Sequence, residues 1–392
     1  MHLPYALYLH IPFCQKRCPY CDFNTYAGLQ DQFEVYTAAL CEEVLRVGEA
    51  RLRLAGRHPP VRTIFIGGGT PTVLDPAHLS RLLAACRTAF DVLPAAEITC
   101  EANPGAVDRA RFAALREMGV NRLSMGVQSF DDGELHWLGR IHNAADAERS
   151  FEAARQAGFD NINLDFMFGL PEQKPETWAR TLARVLDLAP EHLSLYSLIV
   201  EEGTPLADWV RRGLAPKPDD DLAADLYSTA METLARAGFA HYEISNWARP
   251  GMECRHNLVY WRNEPYLGFG AGAHSFDLDP DSAGGGRRWW NIRPVPAYIR
   301  RIQSSRSARA DGERIPQRLA MGETMMVGLR LVAEGVTEER FRARFGVGLN
   351  EAYGSTLAGL AARGLVTSTE AGVRLSPRGL LLGNQVFGAF LP

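Results

Sequence analysis

The chain has 392 residues, 46% of them apolar and 22% charged, enough to bury one large core and a smaller second one. Its net charge of −4 exerts no general pull toward nucleic acid or anionic membrane. No run approaches the ~18 apolar residues of a spanning helix, and the opening Met-His-Leu-Pro-Tyr-Ala lacks the basic flank and apolar centre of a secretory signal, so a cytoplasmic location is expected.

Short apolar runs then alternate with longer helical patterns. Ala6–Ile11 reads as a strand stopped by Pro12, and Asp31 to Leu54 as a helix. Arg62–Ile66 is strand-like and opens into Gly67-Gly68-Gly69-Thr70; Leu79, Leu82, Leu83 and Cys86 follow at helical spacing. The strands Glu97–Cys100, Arg122–Val127, Asn161–Phe166 and His192–Leu198 alternate with helices at Arg111–Met118, Ala144–Ala157, Pro175–Leu188 and Asp219–Ala237. Six such units predict an α/β fold with a parallel sheet, as a partial (β/α)6 barrel or, second, a doubly wound open sheet. The chemically suggestive residues fall just after strands, where parallel sheets place their sites.

After Ala240 the alternation stops. His241–Arg262 is rich in aromatic and polar residues, Gly268–Gly272 and Gly284–Gly286 look loop-like, and Arg287–Arg318 carries nine Arg against only Asp311 and Glu313. That stretch suits a solvated face, or pairing with the acidic groups of a ligand, lipid or partner surface. Helical stretches at Ala320–Arg330, Thr337–Phe345 and Asn350–Arg363, then short runs at Leu365–Val366 and Val373–Leu375, suggest a small, mainly helical, winged-helix-like C-terminal domain. No helix in it is unusually basic, so docking rather than DNA binding is expected. The domains drawn from this pattern are 1–240, a connecting region 241–315, and 316–392.

The stretch Cys14-Gln-Lys-Arg-Cys18-Pro-Tyr-Cys21 sets three thiols on one tight loop. Three thiolates can hold three irons of a [4Fe-4S] cube and leave the fourth open. Zinc would want a fourth ligand at matching spacing, and His10 lies within a strand-like run. Cys41, Cys86, Cys100 and Cys254 are scattered, as core thiols in a reducing compartment would be. The glycines after Ile66 form neither a P-loop nor a dinucleotide fingerprint, though they would let backbone N–H groups approach a ligand.

Cys-x3-Cys-x2-Cys, with the aromatic Tyr20 before the last Cys, resembles the signature of the radical S-adenosylmethionine (SAM) superfamily. In that family the open iron binds SAM. The stretches that begin at Leu7 and Gly67, Glu101-Ala-Asn-Pro, Asn121 to Phe130, Leu138 to His142, Asn163 to Pro171 and His256 to Trp261 narrow the resemblance to the coproporphyrinogen III oxidase-like branch. The resemblance implies a radical SAM barrel, a cluster on Cys14, Cys18 and Cys21, and SAM contacts at Tyr8, Tyr20, Gly68, Gly69, Thr70, Glu101, Gln128, Arg140, Asp165 and Ile199. The chemistry agrees: Glu101 and Asp165 can meet an ammonium or hydroxyls, Arg140 a carboxylate, and Gln128 a hydroxyl.

One position divides the branch. Its oxygen-independent oxidases carry a further Cys two residues after the third, where this chain has Phe23. With His256-Asn257-x-x-Tyr260-Trp261, the pattern is similar to the HemW family of heme chaperones. That likeness implies heme as cargo at His256, Asn257, Tyr260 and Trp261, and delivery to apo-hemoproteins such as respiratory enzymes. His241, His274 and Cys254 are rival heme ligands. Oxidative decarboxylation of coproporphyrinogen III is the enzymatic alternative. A homodimer and a peripheral membrane contact stay open, and no nucleic acid is expected.

Overall fold

The computed structural model describes residues 3–305 and 307–391. Strand β1 (Tyr5–Ile11) runs into a loop closed by a two-residue parallel pairing of β2 (Phe13–Cys14) with β3 (Tyr26–Ala27). Helix α1 (Phe33–Ala55) completes the first unit. Next come β4 (Pro60–Gly68), α2 (Pro76–Ala89), β5 (Asp91–Ala102), α3 (Arg109–Glu117), β6 (Arg122–Gln128), α4 (Asp132–Trp137) and α5 (Ala144–Gln156). The last two units are β7 (Ile162–Phe168) with α6 (Pro175–Leu188), and β8 (His192–Ser197) with α7 (Pro205–Arg211) and α8 (Asp220–Arg236). Strands β1, β4, β5, β6, β7 and β8 lie side by side in that order and pair in parallel. This is the expected partial (β/α)6 barrel.

Local chemistry explains the elements. Every residue of β6 except Gln128 is buried, as in a parallel strand covered on both faces. The Asn143 side chain caps α5 and Asp146 returns the bond, while Asp219 caps α8. Trp178 on α6 donates its indole N–H to the Leu226 carbonyl on α8, so a large apolar side chain is buried with its polar atom satisfied.

The region after Ala240 is less loop-like than its composition suggests. β9 (Ala240–Glu243) and β10 (Asn246–Ala248) extend the sheet antiparallel beyond β8. After α9 (Arg255–Trp261), β11 (Tyr266–Phe269) pairs parallel with β1, and β12 (His274–Leu278) and β13 (Gly286–Asn291) continue antiparallel. Helix α10 (Val295–Ser305) leads to β14 (Arg309–Ile315), so β14 and β9 end a 12-stranded open sheet. Gly268 and Gly286, expected in loops, lie in strands. They are glycine because the packing is close: a Cβ on Gly268 would stand 2.0 Å from the His274 carbonyl oxygen.

The C-terminal unit comprises α11 (Gln317–Gly328), β15 (Val336–Thr337), α12 (Glu338–Phe345), α13 (Leu349–Ala362), β16 (Val366–Thr369), β17 (Gly372–Leu375), α14 (Pro377–Leu381) and α15 (Gly383–Phe387). Its small antiparallel sheet, in the order β15-β17-β16, gives the expected winged-helix-like arrangement. Phe341, Phe345, Leu357, Leu360, Val373 and Val386 form its own core. Helix α13 carries a single charge, the acidic Glu351, which does not suit a phosphate backbone.

Candidate functional site

The carboxyl ends of the parallel strands converge on the cysteine loop. The loop is held from several sides. Gly69 and Thr70 donate their N–H groups to the carbonyls of Ile11 and Phe13 at 2.8 and 2.7 Å, and Leu206 donates to the Pro19 carbonyl at 3.0 Å. Tyr20 packs into a small cluster with Leu138, Leu170, Leu198 and Leu206. The Cys14 sulfur accepts from Thr70 Oγ1 at 3.8 Å, and the Cys18 sulfur accepts from the Arg140 guanidinium at 3.4 Å. All three thiols are free and half-buried. Burial pushes the Cys14 thiol up to about 11 and also raises Cys21. Among the described residues no three candidate ligands already stand in metal-binding geometry, so the trio shares a loop rather than a preformed cage.

Asn103, just past β5, ties the loop to the sheet. It donates to Thr70 Oγ1 at 2.8 Å and accepts from Arg140 at 2.8 Å. Arg140 also donates to the Gly126 carbonyl at 2.6 Å. Nothing in Glu-Ala-Asn-Pro by itself assigns this Asn a role; its place immediately after a strand end is the one signal in the sequence.

Glu101 accepts the Gly68 N–H at 2.9 Å. Asp165 accepts from Asn163 at 2.7 Å and from Ser124 at 3.4 Å. Burial raises the Glu101 carboxyl to about 7, helped by the neighbouring Asp165 charge. Burial likewise raises Asp165 to about 6, against its hydrogen bond from Asn163. The two acids are poised to ionise fully on meeting a cation. Gln128 holds φ at +75° where the β6–β7 register slips, a strained position beside the site. Gly68 sits at φ +117°, and a Cβ there would stand 2.4 Å from His10 Nδ1. Tyr8 is hydrogen-bonded to that same nitrogen at 2.9 Å. Ile199 lies beyond β8 with 64% of its surface exposed.

Beside these strand ends is a cavity of about 580 Å³, lined by Tyr8, Phe23, Glu101, Tyr260, His274 and Trp290 among others. The aromatic motif contributes unevenly to it. His256 is buried, with Nδ1 at 2.9 Å from Thr63 Oγ1 and Nε2 at 3.0 Å from the Tyr260 hydroxyl. Both ring nitrogens are thus engaged, and burial lowers the imidazole to about 3. Tyr260 lines the cavity, whereas Trp261 lies under the Arg330 guanidinium and Asn257 is half-buried on the same helix. The rival His241 stacks on Trp247 at 4.1 Å, and Cys254 is buried beside Glu97. Much of the Arg-rich stretch is internally paired: Arg288 with Glu313 and Glu323, and Arg287 and Arg314 with the buried Asp279. Arg306 lies outside the described residues.

Residues 8–185 match the Radical SAM superfamily and residues 315–382 the HemN C-terminal domain. Over 387 residues the chain is 41% identical to the heme chaperone HemW of Bacillus subtilis (strain 168), covering 98% of this chain and 99% of that protein. The chain belongs to the HemW family. It is also 36% identical to the heme chaperone HemW of Lactococcus lactis over 99% of this chain and 97% of that one. The solved coproporphyrinogen III oxidase HemN of Escherichia coli, a radical SAM enzyme, superposes with a TM-score of 0.83 at 26% identity, covering 99% of this chain and 90% of that chain.

Membership of the HemW family and the radical SAM superfamily implies a [4Fe-4S] cluster and SAM, and the residues present fit both. Three free thiols share one loop, and a Cβ on Gly69 would lie 3.0 Å from the Cys14 sulfur, in space the glycine leaves clear. Arg140 Nε is buried without a partner among the described residues, a donor available to a carboxylate.

Proposed function

We infer that the chain is a heme chaperone on a radical SAM scaffold, binding heme and delivering it to apo-hemoproteins. The near-full-length match to named heme chaperones carries this reading. Phe23 supports it against the oxidase alternative, since it presents an exposed ring, not a thiol, to the cavity. The cluster belongs on Cys14, Cys18 and Cys21, and when bound supplies one-electron chemistry through its open iron.

The proposed SAM contacts follow the chemistry of the strand ends. Glu101 and Asp165 face the ammonium or ribose hydroxyls, Arg140 takes the carboxylate and Gln128 a hydroxyl. Gly68, Gly69 and Thr70 supply backbone and hydroxyl groups, and Tyr8, Tyr20 and Ile199 supply flat or apolar surface. Respiratory enzymes are the proposed clients, and a peripheral membrane contact would bring the chain to them. No helix among the described residues is long and apolar enough to cross a membrane.

The test pairs two assays on anaerobically reconstituted protein. Heme-loaded chain is mixed with an apo-cytochrome, and heme transfer is followed by absorbance. Separately, coproporphyrinogen III is supplied with SAM and a reductant. Transfer without porphyrinogen conversion is expected. Conversion to protoporphyrinogen IX without transfer would return the chain to the oxidases.

A further inference from the structure

The cavity beside the strand ends contains two histidines, and they differ in availability. His10 is buried and has both ring nitrogens engaged, by the Tyr8 hydroxyl at 2.9 Å and the Asn24 carbonyl at 3.0 Å. His274 is exposed, and among the described residues neither ring nitrogen has a hydrogen-bond partner. Its ring is nevertheless held. His274 and Trp290 are register partners across β12 and β13, and their rings stack at 5.6 Å and 26°. The imidazole is thus oriented from one side and open on the other.

The aromatic lining suits a flat, apolar ligand, and Arg293 suits a carboxylate at its edge, although Asp22 and Glu101 also line the cavity. The volume, about 580 Å³, falls within the ~300–1,000 Å³ common for cofactor-sized sites. Phe23 is 64% exposed at its wall, and Tyr260 and Tyr266, also in the lining, pack edge to face at 4.8 Å. Arg293 lines the cavity and has no carboxylate partner among the described residues, unlike Arg287, Arg288 and Arg314 nearby.

We propose that heme occupies this cavity with its iron on His274, a propionate on Arg293 and its macrocycle against Phe23 and Tyr260. The inference rests on the chaperone reading and reassigns part of the aromatic motif. His256 becomes a positioning residue: through its 3.0 Å bond it holds the Tyr260 hydroxyl and so sets the cavity wall. The cavity also includes Gly68 and Glu101, so cargo and SAM would be neighbours across one wall.

The test is a hemin titration of the reconstituted full chain, read by Soret difference spectra and by electron paramagnetic resonance of the ferric heme. Wild type, His274→Ala, His274→Cys, His256→Gln and Arg293→Ala are compared, with circular dichroism reporting the fold. His274→Ala should weaken binding by about tenfold or more and change the spin-state signature. His274→Cys should restore binding with a thiolate-type spectrum. Arg293→Ala should weaken hemin but leave its dimethyl ester unaffected. His256→Gln should keep the wild-type ligand signature. An unchanged signature in folded His274→Ala, or its loss only in folded His256→Gln, would overturn the assignment while leaving the chaperone reading intact. No saturable binding by wild type would overturn both.

Discussion

Arg140 donates to the Cys18 sulfur at 3.4 Å from 122 residues further along the chain. The same guanidinium holds Asn103 and the Gly126 carbonyl, so one side chain joins the cysteine loop to two strand ends. Arg140→Met would leave Asn103 Oδ1 and the Gly126 carbonyl without this donor, costing about 1–3 kcal/mol of stability. It should also weaken SAM binding at least about tenfold, as measured by calorimetry. Unchanged SAM affinity in a folded variant would remove Arg140 from the proposed contacts.

Cys18→Ala should abolish the brown absorbance that develops on anaerobic reconstitution. Iron and sulfide analysis checks it; a persistent full four-iron cluster would refute the assignment of the trio.

Gly69→Ala tests the space around the cluster loop. The added Cβ would meet the Phe13 carbonyl oxygen at 2.5 Å and the Cys14 sulfur at 3.0 Å. Backbone on one side and a proposed cluster ligand on the other leave no soft neighbour. Iron content should fall while circular dichroism stays close to wild type.

The strand-end carboxyls make stability depend on pH. Glu101 rises from 4.5 to about 7 on folding, chiefly through burial. The folded chain therefore keeps a proton that the unfolded chain has lost, and this carboxyl's contribution to stability falls as pH rises through that window. Buried histidines such as His256 act in the opposite sense, since their folded pKa is lowered. The informative quantity is therefore the difference between wild type and Glu101→Gln. In urea denaturation without ligands, the variant should gain roughly 1–3 kcal/mol on wild type between about pH 5 and pH 8. A pH-independent difference would show that Glu101 is ionised throughout.

Glu43 plays a structural part that its position in α1 does not advertise. Its buried carboxyl accepts from the Gly270 N–H, Asn291 and the Tyr298 hydroxyl at 2.8, 2.7 and 2.7 Å. Glu43→Leu strands three donors and should cost about 3–5 kcal/mol by urea denaturation. A loss below about 1 kcal/mol would mean that water replaces the carboxylate.

The six-unit barrel and the cysteine trio were legible in the chain because both depend on local order. Buried parallel strands read as apolar runs, and cluster ligands on one loop must be close in sequence. The seventh parallel strand, β11, was not legible. It has four residues and ends at Phe269 beside glycines that mark turns as often as close packing. Which residues meet was likewise a tertiary matter. The sequence put His256 first by its motif and left His241 and His274 as rivals, since an imidazole by itself looks the same in each setting. Folding satisfies some of them: His256 is taken up by Thr63 and Tyr260, and His241 by Trp247 and the Ile244 carbonyl, whereas His274 lines the cavity with no hydrogen-bond partner among the described residues. Hydrogen-bond capacity is a property of the residue, but how much of it remains for a ligand is set by neighbours that arrive from distant parts of the chain.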